Sequence, residues 1–271
     1  MSYLEELFSV EGKTALVTGA ATGIGRMAAT ALVRAGARVL IASRKGADCE
    51  RVAAELNALD APGHAEGFAA DVSTENGLLA LAEEVKSRTG VLNILINNAG
   101  ISWGEAYETF PYAAWSKVMN VNVTGIFHLT RELLPLMEAA ASDADPARVI
   151  NLGSIMGTQP FADRAYSYAA SKAAVHHLTR MLAIEFASRR ITVNAFAPGP
   201  FPSRMMAFAV GTEEKAERMG ARIPLGRIGA PDDIAGATLY LCSRAGAYVT
   251  GAILPIDGGQ SVQHGLPPFT E

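Results

Sequence analysis

Near the amino terminus an apolar run leads directly into a glycine-rich turn, and the turn leads into a helical pattern. This stretch, residues 13–32, reads KTALVTGAATGIGRMAATAL. Gly19, Gly23 and Gly25 lack a Cβ atom, so the backbone can bend tightly there and bring its N–H groups close to a bound pyrophosphate. The spacing is G-x-x-x-G-x-G, not the common G-x-G-x-x-G of dinucleotide-binding turns. With a strand before it and a helix after it, the turn predicts a phosphate site more strongly than a turn kept only for packing.

Short apolar runs alternate with longer helical patterns along the rest of the chain. We predict strands at Thr14–Thr18, Ala37–Ala42, Ala65–Ala69, Ile94–Asn97, Arg148–Leu152, Thr192–Ala197 and Ala252–Pro255. We predict helices at about Ile24–Ala35, Cys49–Leu59, Thr74–Arg88, Tyr112–Ala140, Ala165–Ser188 and Asp232–Ser243. Repeated β-α units of this kind indicate an α/β fold with a parallel, doubly wound sheet covered on both faces. Because no linker rich in Pro, Gly or Ser divides the chain, we expect a single domain over residues 1–271.

Three local features qualify this pattern. Residues 1–11 precede the first strand and form an N-terminal extension. Residues 198–224 begin with three prolines within five positions, so their start is not helical, and a loop of this length in a compact domain is often a lid. We therefore expect a substrate lid there. Pro135 lies inside the 112–140 pattern and predicts that this helix kinks or ends at that point.

Composition excludes several classes of function. A net charge of −4 and a pI near 5.8 give no basic footprint for nucleic acid, and there is no dense Lys/Arg run to suit an anionic membrane. Cys49 and Cys242 are the only cysteines, which rules out a disulfide framework or a Cys-rich zinc site. The first residues lack the basic and apolar regions of a secretion signal. We expect a soluble, cytoplasmic protein that binds neither nucleic acid nor membrane.

Several motifs spread over nearly the whole chain occur in an order that resembles one family. They are TGAATGIG at 18–25, DV at 71–72, NNAG at 97–100, Asn122, Ser154, Tyr168-x-x-x-Lys172, PG at 198–199 and DGG at 257–259. Each motif alone is weak, but together they resemble the short-chain dehydrogenase/reductase family. The resemblance implies a single Rossmann-type domain with seven mainly parallel strands, which agrees with the pattern of β-α units. It also implies a homotetramer or a homodimer.

The end of the second predicted strand bears on the choice of cofactor. In NAD-preferring enzymes an acidic side chain at this place binds the ribose 2′-hydroxyl, whereas Arg accommodates a 2′-phosphate. Here Ser43 stands at that position and is followed by Arg44 and Lys45. A hydroxyl can donate to a phosphate and a guanidinium can pair with it. The alternative is that both cations are merely solvated loop residues. We predict a preference for NADP(H).

The resemblance implies a fuller set of cofactor-binding residues. Asp71 is expected to contact the adenine amino group, Val72 the adenine ring, and Asn98, Ala99 and Gly100 the adenosine ribose. Ser203 stands near the place of a Thr that often contacts the nicotinamide carboxamide. The remaining expected contacts are Gly19, Thr22, Gly23, Ile24, Gly25, Pro198, Gly199, Tyr168 and Lys172.

The stretch YSYAASKAAV, residues 166–175, offers two tyrosines close to one lysine. Tyr168 and Lys172 are four positions apart and share a helix face, whereas Tyr166 and Lys172 are six apart and do not. Free tyrosine has a pKa of about 10. A nearby ammonium favours tyrosinate and lowers that pKa. This gives Tyr168 and Lys172 the chemistry of a proton donor and its activator, which are also the roles implied by the resemblance. Lys172 would also hydrogen-bond the nicotinamide ribose.

Two more residues complete the expected catalytic set. Ser154 follows the strand that contains residues 148–152, and its hydroxyl can donate to a substrate carbonyl; the alternative is a cap or turn role. The family often has Ser-Ser here, whereas this chain has Gly153 and Ser154. Asn122 lies in a helical pattern that suits it poorly, and the resemblance implies that it bends the helix and holds a water that relays protons to the lysine. Asn120 is the rival position.

Other polar residues have simpler interpretations. No metal-ligand pattern is formed by the histidines, and we interpret them as packing or surface residues: His128, His176 and His177. We predict no metal site. No G-x-S-x-G elbow of a serine hydrolase surrounds Ser154.

The sequence leaves the substrate open. The segment Phe201–Phe208 can line the lid with apolar side chains or pack it on the domain, and Trp103 and Tyr107 can form an opposite wall. The chain is most similar to reductases of 3-oxoacyl chains, including the branch linked with rhamnolipid precursors, so we expect ketone reduction with a small carbonyl or alcohol substrate. An alcohol, sugar or steroid dehydrogenase and a non-catalytic nucleotide sensor are the alternatives. The stripe of Val175, Leu178, Leu182 and Phe186 fits either an interface with a second copy or packing on the sheet.

Overall fold

A seven-stranded sheet, in which every neighbouring pair runs parallel, organises the computed structural model. The structure describes residues 2–161, 164–203 and 205–263. The strands are β1 Thr14–Thr18, β2 Arg38–Ser43, β3 His64–Ala69, β4 Ile94–Asn97, β5 Ala147–Leu152, β6 Ile191–Pro198 and β7 Ile253–Ile256. The prediction of a doubly wound Rossmann-type sheet is confirmed, and each predicted strand lies within one residue of the observed bounds at its start and end.

The order of the strands places a crevice at the middle of the sheet. The order is β3-β2-β1-β4-β5-β6-β7, so the chain leaves β1 in one direction, returns after β3, and continues from β4 in the other. Ala15 of β1 is paired with Val39 of β2 on one side and with Ile94 of β4 on the other. In parallel sheets of this kind, ligands bind beyond the carboxyl ends of the strands where the order reverses.

Ten α-helices are present in the described part of the chain. They are α1 Tyr3–Phe8, α2 Gly23–Arg34, α3 Gly46–Asn57, α4 Glu75–Arg88, α5 Tyr112–Met119, α6 Gly125–Ala140, α7 Tyr166–Phe186, α8 Ala207–Val210, α9 Glu213–Gly220 and α10 Pro231–Cys242. One core contains Leu32, Val52 and Ile234, which belong to α2, α3 and α10. The other core contains residues of α4, α6 and α7, among them Leu81 and Leu133. Each face of the sheet is therefore covered, which explains why most strands are continuous apolar runs.

The helical pattern at 112–140 differs from the prediction. A π-helical turn over Asn120–Thr124 separates α5 from α6, and α6 continues through Pro135 to Ala140. The helix therefore does not end at Pro135. Proline removes the hydrogen bond to the carbonyl of Arg131, and both residues lie on the exposed side of the helix, where water can replace that bond.

The expected lid, residues 198–224, is partly helical. Its first residues lie outside any helix, as the prolines predict, but α8 and α9 follow, and the side chain of Thr212 caps α9 by accepting from the N–H of Lys215 at 3.3 Å. Phe201 is 2% exposed and lies against Gly229, where a Cβ would come within 2.2 Å of its ring. Phe201 therefore packs this segment on the domain, which is one of the two roles considered for it. Arg204 lies outside the described residues.

The N-terminal extension is held to the domain. Ser2 caps α1, Val10 is fully buried, and Glu6 forms an ion pair with Arg244 at 2.7 Å. Across the described residues, no helix combines the length and the apolar character needed to cross a membrane.

Candidate active site

The glycine-rich turn after β1 is held by Asn98. Its Nδ2 donates to the carbonyl oxygens of Thr18 at 2.8 Å and Gly19 at 3.1 Å. Gly19 has φ +68°, which L side chains rarely adopt, and a Cβ on Gly25 would lie 2.3 Å from Asn98 Nδ2. Gly23 also has a positive φ, +59°, so all three glycines are required: Gly19 and Gly23 by backbone conformation, and Gly25 by close approach. The Asn98 side chain serves the turn, which sequence reasoning did not foresee.

The start of α2 is open for an anion. Thr22 precedes the helix and its side chain makes no capping hydrogen bond, so the first N–H groups, beginning with those of Gly23 and Ile24, lack a side-chain acceptor. By contrast, Ser2, Thr74 and Thr212 cap the helices α1, α4 and α9. Such an uncapped terminus, with its positive dipole end, suits a phosphate.

Ser203 is brought to the same turn by the segment after β6. A Cβ on Gly23 would lie 3.0 Å from the Cβ of Ser203, so this residue packs on the glycine-rich turn. Pro198 ends β6, and the N–H of Gly199 donates to the carbonyl oxygen of Ile256 at 3.0 Å. These residues therefore lie at the carboxyl end of the sheet, as a cofactor site requires.

The end of β2 presents two cations beside a second uncapped helix. Arg44 and Lys45 are exposed, and α3 begins directly after them without a side-chain cap. Ser43 Oγ lies 3.1 Å from Cys49 Sγ and accepts from the N–H of Lys45 at 3.3 Å. Two cations, a hydroxyl and open helical N–H groups form a set that matches a phosphate monoester.

Asp71 follows β3 as a carboxylate. Its Oδ1 accepts from the N–H of Ser73 at 2.9 Å. Hydrogen bonding with the side chain and the N–H of Ser73, with a smaller contribution from the charge of Arg44, lowers the pKa of Asp71. Val72 and Ala99 line one small cavity, which places the residues after β3 and β4 side by side. The ionised carboxylate can accept from an amino group, as the adenine contact requires.

Lys172 is the buried cation of the site. It is 4% exposed, and its Nζ donates to the carbonyl oxygen of Leu152 at the end of β5. Its Nζ lies 5.4 Å from the centre of the Tyr168 ring. Burial lowers the pKa of Lys172 to about 8, because the ammonium has lost its water. The helical turn thus brings the two predicted partners together, whereas Tyr166 turns away and packs its ring on Phe110 at 5.6 Å.

Asn122 is fully buried, whereas Asn120 is exposed. The Asn122 side chain binds both backbone groups of Ile101, accepting from its N–H and donating to its carbonyl oxygen, each at 2.9 Å. Its Nδ2 also donates to Ser171 Oγ at 2.9 Å, and Ser171 donates to the carbonyl oxygen of Tyr168 at 2.7 Å. The π-helical turn and the catalytic turn of α7 are therefore joined through Ser171. Sequence reasoning missed Ser171, although its place directly before Lys172 offered a signal.

Gly100 lies between the elements that carry these side chains. A Cβ there would come 3.3 Å from Asn122 Oδ1 and 3.7 Å from Lys172 Nζ. The NNAG turn is thus in contact with the buried cation and the buried amide at once, which connects the predicted cofactor residues with the predicted catalytic ones.

Ser154 begins the short 3₁₀ turn Ile155–Gly157 directly after β5. It is 7% exposed, and its Oγ accepts from the N–H of Met156 at 3.2 Å. The capping role and the catalytic role are compatible, since a hydroxyl that accepts one hydrogen bond still has its own proton to donate. Ser154 is therefore placed at the same strand end as Lys172.

The side chains that could bind a metal ion are not clustered in the described residues. Within residues 2–161, 164–203 and 205–263, no group of three or more His, Cys, Asp or Glu side chains is arranged to hold a metal ion. The geometry instead offers two uncapped helix ends, a carboxylate, and a hydroxyl, phenol and ammonium near the end of β5.

Comparisons with known proteins agree with this geometry. Residues 19–261 match a family model described as enoyl-(acyl carrier protein) reductase. The chain is 46% identical to the rhamnolipids biosynthesis 3-oxoacyl-[acyl-carrier-protein] reductase of Pseudomonas aeruginosa, over 93% of this chain and 97% of that protein. It is 41% identical to galactitol 2-dehydrogenase (L-tagatose-forming) of Cereibacter sphaeroides, over 94% and 98%. The solved Pseudomonas aeruginosa RhlG/NADP active-site complex is 45% identical over 94% of this chain and 99% of that chain, with a TM-score of 0.89.

Proposed function

The chain belongs to the short-chain dehydrogenase/reductase family, and from this premise we propose that it reduces a ketone to a secondary alcohol with NADPH. The observation that carries the proposal is the buried ammonium of Lys172 beside the Tyr168 ring, at the carboxyl edge of the sheet where the uncapped helices α2 and α3 also begin. A buried cation without a paired carboxylate is costly, so a functional reason for it is favoured over a structural one.

The residues around the cleft fit NADP(H). The uncapped start of α2 and the glycine-rich turn suit the pyrophosphate, and the Asp71 carboxylate suits the adenine amino group. Ser43, Arg44 and Lys45 suit a 2′-phosphate, since two exposed cations and an uncapped helix end would have no ligand in NAD(H). Ala99 lies against Gly19 and Ser203 against Gly23, which supports the ribose contact expected of Ala99 and Gly100 and the carboxamide contact expected of Ser203.

The side chains at the end of β5 supply the proton chemistry. When bound, NADPH supplies a hydride for the carbonyl carbon. Tyr168 gives the proton of its hydroxyl to the carbonyl oxygen, and Ser154 donates a hydrogen bond that orients that oxygen. The Lys172 ammonium favours the tyrosinate that remains, and Asn122 keeps the helix turn and the loop at Ile101 in register with it.

The substrate class follows from the relatives. The match to a 3-oxoacyl-[acyl-carrier-protein] reductase covers nearly the whole of both chains and supports a 3-oxoacyl substrate. The similarity to galactitol 2-dehydrogenase supports a second candidate, oxidation of a polyol. The cationic pair at the end of β2 favours the reductive assignment, because it suits the phosphorylated cofactor.

The test is NADPH oxidation by purified protein against a ketone panel that includes 3-oxoacyl thioesters, with galactitol and NAD⁺ or NADP⁺ in the reverse direction. We expect turnover of a 3-oxoacyl thioester with NADPH, and a kcat/KM for NADPH well above that for NADH. Turnover of galactitol with NAD⁺ and of no ketone would contradict the proposal.

A substitution at Arg44 tests the cofactor preference. Arg44→Ala removes a guanidinium from the proposed 2′-phosphate site and should raise the KM for NADPH by about 10-fold while leaving that for NADH unchanged. Arg34→Ala is the matched control, since Arg34 lies in the last turn of α2, away from its open end. Equal catalytic efficiency with NADPH and NADH in the wild type would overturn the preference.

Assembly and location complete the proposal. The chain acts as a homo-oligomer, a tetramer or a dimer, in the cytoplasm. Leu182 and Phe186 pack in the core of the domain, so the apolar stripe on α7 serves the sheet, while Met181 and Ile184 of the same helix are 57% and 82% exposed. The exposure of these two apolar side chains supports contact with a second copy of the chain. Sedimentation would measure the oligomeric state.

A further inference from the structure

His176 is a buried side chain that the proposed proton chemistry does not use. It lies on α7 one turn after Lys172 and is 4% exposed. Its Nε2 lies 3.4 Å from the backbone N of Ser154, and its Nδ1 lies 3.4 Å from Thr158 Oγ1. The ring therefore spans the short turn that carries Ser154, with one nitrogen at each end of it.

Two glycines make room for this ring. A Cβ on Gly153 would lie 2.2 Å from His176 Nε2, and a Cβ on Gly157 would lie 2.8 Å from Cε1 of the same ring. Neither glycine is among the residues with positive φ, so neither is needed for an unusual backbone conformation. Both are required by space, and at Gly153 the nearest atoms belong to His176, followed by the carbonyl oxygen of Phe196 at 2.8 Å.

The polarity of the ring is fixed by its surroundings. Burial, with smaller contributions from the charges of Arg180 and Lys172, lowers the pKa of His176 to about 4. The ring is therefore neutral near pH 7, with one donor and one acceptor nitrogen. Since the backbone N–H of Ser154 can only donate, Nε2 is the acceptor, and Nδ1 carries the hydrogen and donates to Thr158 Oγ1.

We propose that His176 is a positioning residue for Ser154: its ring fits against Gly153 and Gly157 and fixes the turn that aims the Ser154 hydroxyl at the substrate. The contacts of 3.4 Å are long for hydrogen bonds, so the ring acts mainly by its shape and by the direction of its two nitrogens. The role of Ser154 rests on the proposed ketone reduction. A displacement of about 1 Å in a catalytic group can lower turnover by about 100-fold, so a loosened turn is a kinetic defect.

The kinetic test compares three substitutions in the same helix. His176→Leu fills the space of the ring with an apolar side chain and removes both nitrogens. It should lower kcat for ketone reduction by about 10-fold, with the KM for NADPH unchanged. His176→Gln keeps an acceptor near the Nε2 position and should recover a large part of kcat. His177→Gln changes an exposed neighbour and should match the wild type. An unchanged kcat in His176→Leu, or an equal loss in His177→Gln, would overturn the proposal.

A second test needs no turnover, so it stands even if the chain reduces no ketone. Gly153→Ser adds a side chain where the ring lies and should lower the Tm. In Gly153→Ser with His176→Ala the two shortest contacts, both with the ring, are removed and only the one at 2.8 Å with the carbonyl oxygen of Phe196 remains, so the double variant should melt above the Gly153→Ser single variant. Gly153→Ser with His177→Ala should show no such recovery. Additive losses in Tm, or a Gly153→Ser variant that melts like the wild type, would show that the ring does not define this turn.

Discussion

A buried cation lies near each end of β5, and the two cations have different hydrogen-bond and charge partners. At the amino end, Arg148 is fully buried and pairs with the Asp145 carboxylate at 2.9 Å. At the carboxyl end, Lys172 donates to the carbonyl oxygen of Leu152. Among the described residues, no carboxylate forms an ion pair with Lys172.

The paired end is a structural junction. Asp145 also pairs with Lys13 at 2.7 Å, and Arg148 donates to the carbonyl oxygens of Leu241 at 3.1 Å and Ser243 at 2.8 Å. Burial lowers the pKa of both cations, and the charge of Asp145 opposes that shift. One carboxylate and several carbonyl oxygens thus join β1, β5 and the end of α10.

Strand β5 thus serves stability at its amino end and chemistry at its carboxyl end. A shared carboxylate at the amino end offsets the cost of burying two cations. A carboxylate beside Lys172 would hold its pKa high and neutralise the field that favours tyrosinate. The catalytic end therefore keeps a cation that is unfavourable for stability, and this gives the two ends opposite expected responses to substitution.

The largest expected contrast comes from Lys172→Met. Loss of the ammonium should lower kcat for ketone reduction by about 100-fold or more. At pH 7 the variant should be more stable than the wild type, since the shift of the Lys172 pKa to about 8 corresponds to a burial cost on the order of 3 kcal/mol. The unpaired carbonyl oxygen of Leu152 offsets part of this gain. Urea unfolding measures the change, and a variant that is both inactive and strongly destabilised would contradict the comparison.

The opposite response is expected for Asp145→Asn. It leaves Lys13 and Arg148 buried without a counter-charge and should lower the free energy of unfolding by about 2 kcal/mol, less than for a fully buried partner because Asp145 is partly exposed. The kcat for ketone reduction should be unchanged. Asp143→Asn is the control, since the Asp143 side chain is 92% exposed and its ion pair with Arg190 should matter little. Equal free energies of unfolding for the two variants would show that Asp145 does not have this structural role.

The smallest effect is the dependence of both properties on pH. The pKa of Lys172 is lowered in the folded state, so the free-energy cost of the buried ammonium is fully present below pH 8 and is relieved as the pH rises towards 10.5. The stability of the wild type relative to Lys172→Met should therefore rise between pH 8 and 10.5. Over the same window the Lys172 charge is lost, and kcat/KM for ketone reduction should fall by about 5-fold between pH 8 and pH 9. A kcat/KM that stays constant up to pH 10 would show that the charge of Lys172 takes no part in the reaction.

The sequence predicts much of this fold because burial leaves a simple pattern. Every residue of β1 is buried, so its apolar run has sharp ends. Tyr168 and Lys172 were identifiable because the helical repeat alone selects one of two tyrosines. Asn122 was harder to predict, since NVNVT reads as continued helix and the π-helical turn depends on tertiary bonds to Ile101 and Ser171.

Other features depended on contacts that no local pattern records. Helix α9 had a signal in Thr212 followed by two glutamates, but the prolines before it suggested a loop. The core position of Phe201 needs the bare backbone of Gly229, which is 28 positions away. The fit of His176 against Gly153 is likewise a contact between a helix and a turn, so the sequence alone offered only a histidine without ligand partners.

Tyr168 is the proposed proton donor, and Tyr166, two positions earlier, provides a matched control. Tyr166 packs on Phe110 and Tyr107, so Tyr166→Phe should keep the ketone-reduction rate of the wild type. Tyr168→Phe should lower kcat by about 1,000-fold, while NADPH binding, followed by cofactor fluorescence, is retained. Steady-state NADPH oxidation by the two variants is the most direct measurement. Intact ketone reduction in Tyr168→Phe, or an equal loss in Tyr166→Phe, would contradict the mechanism.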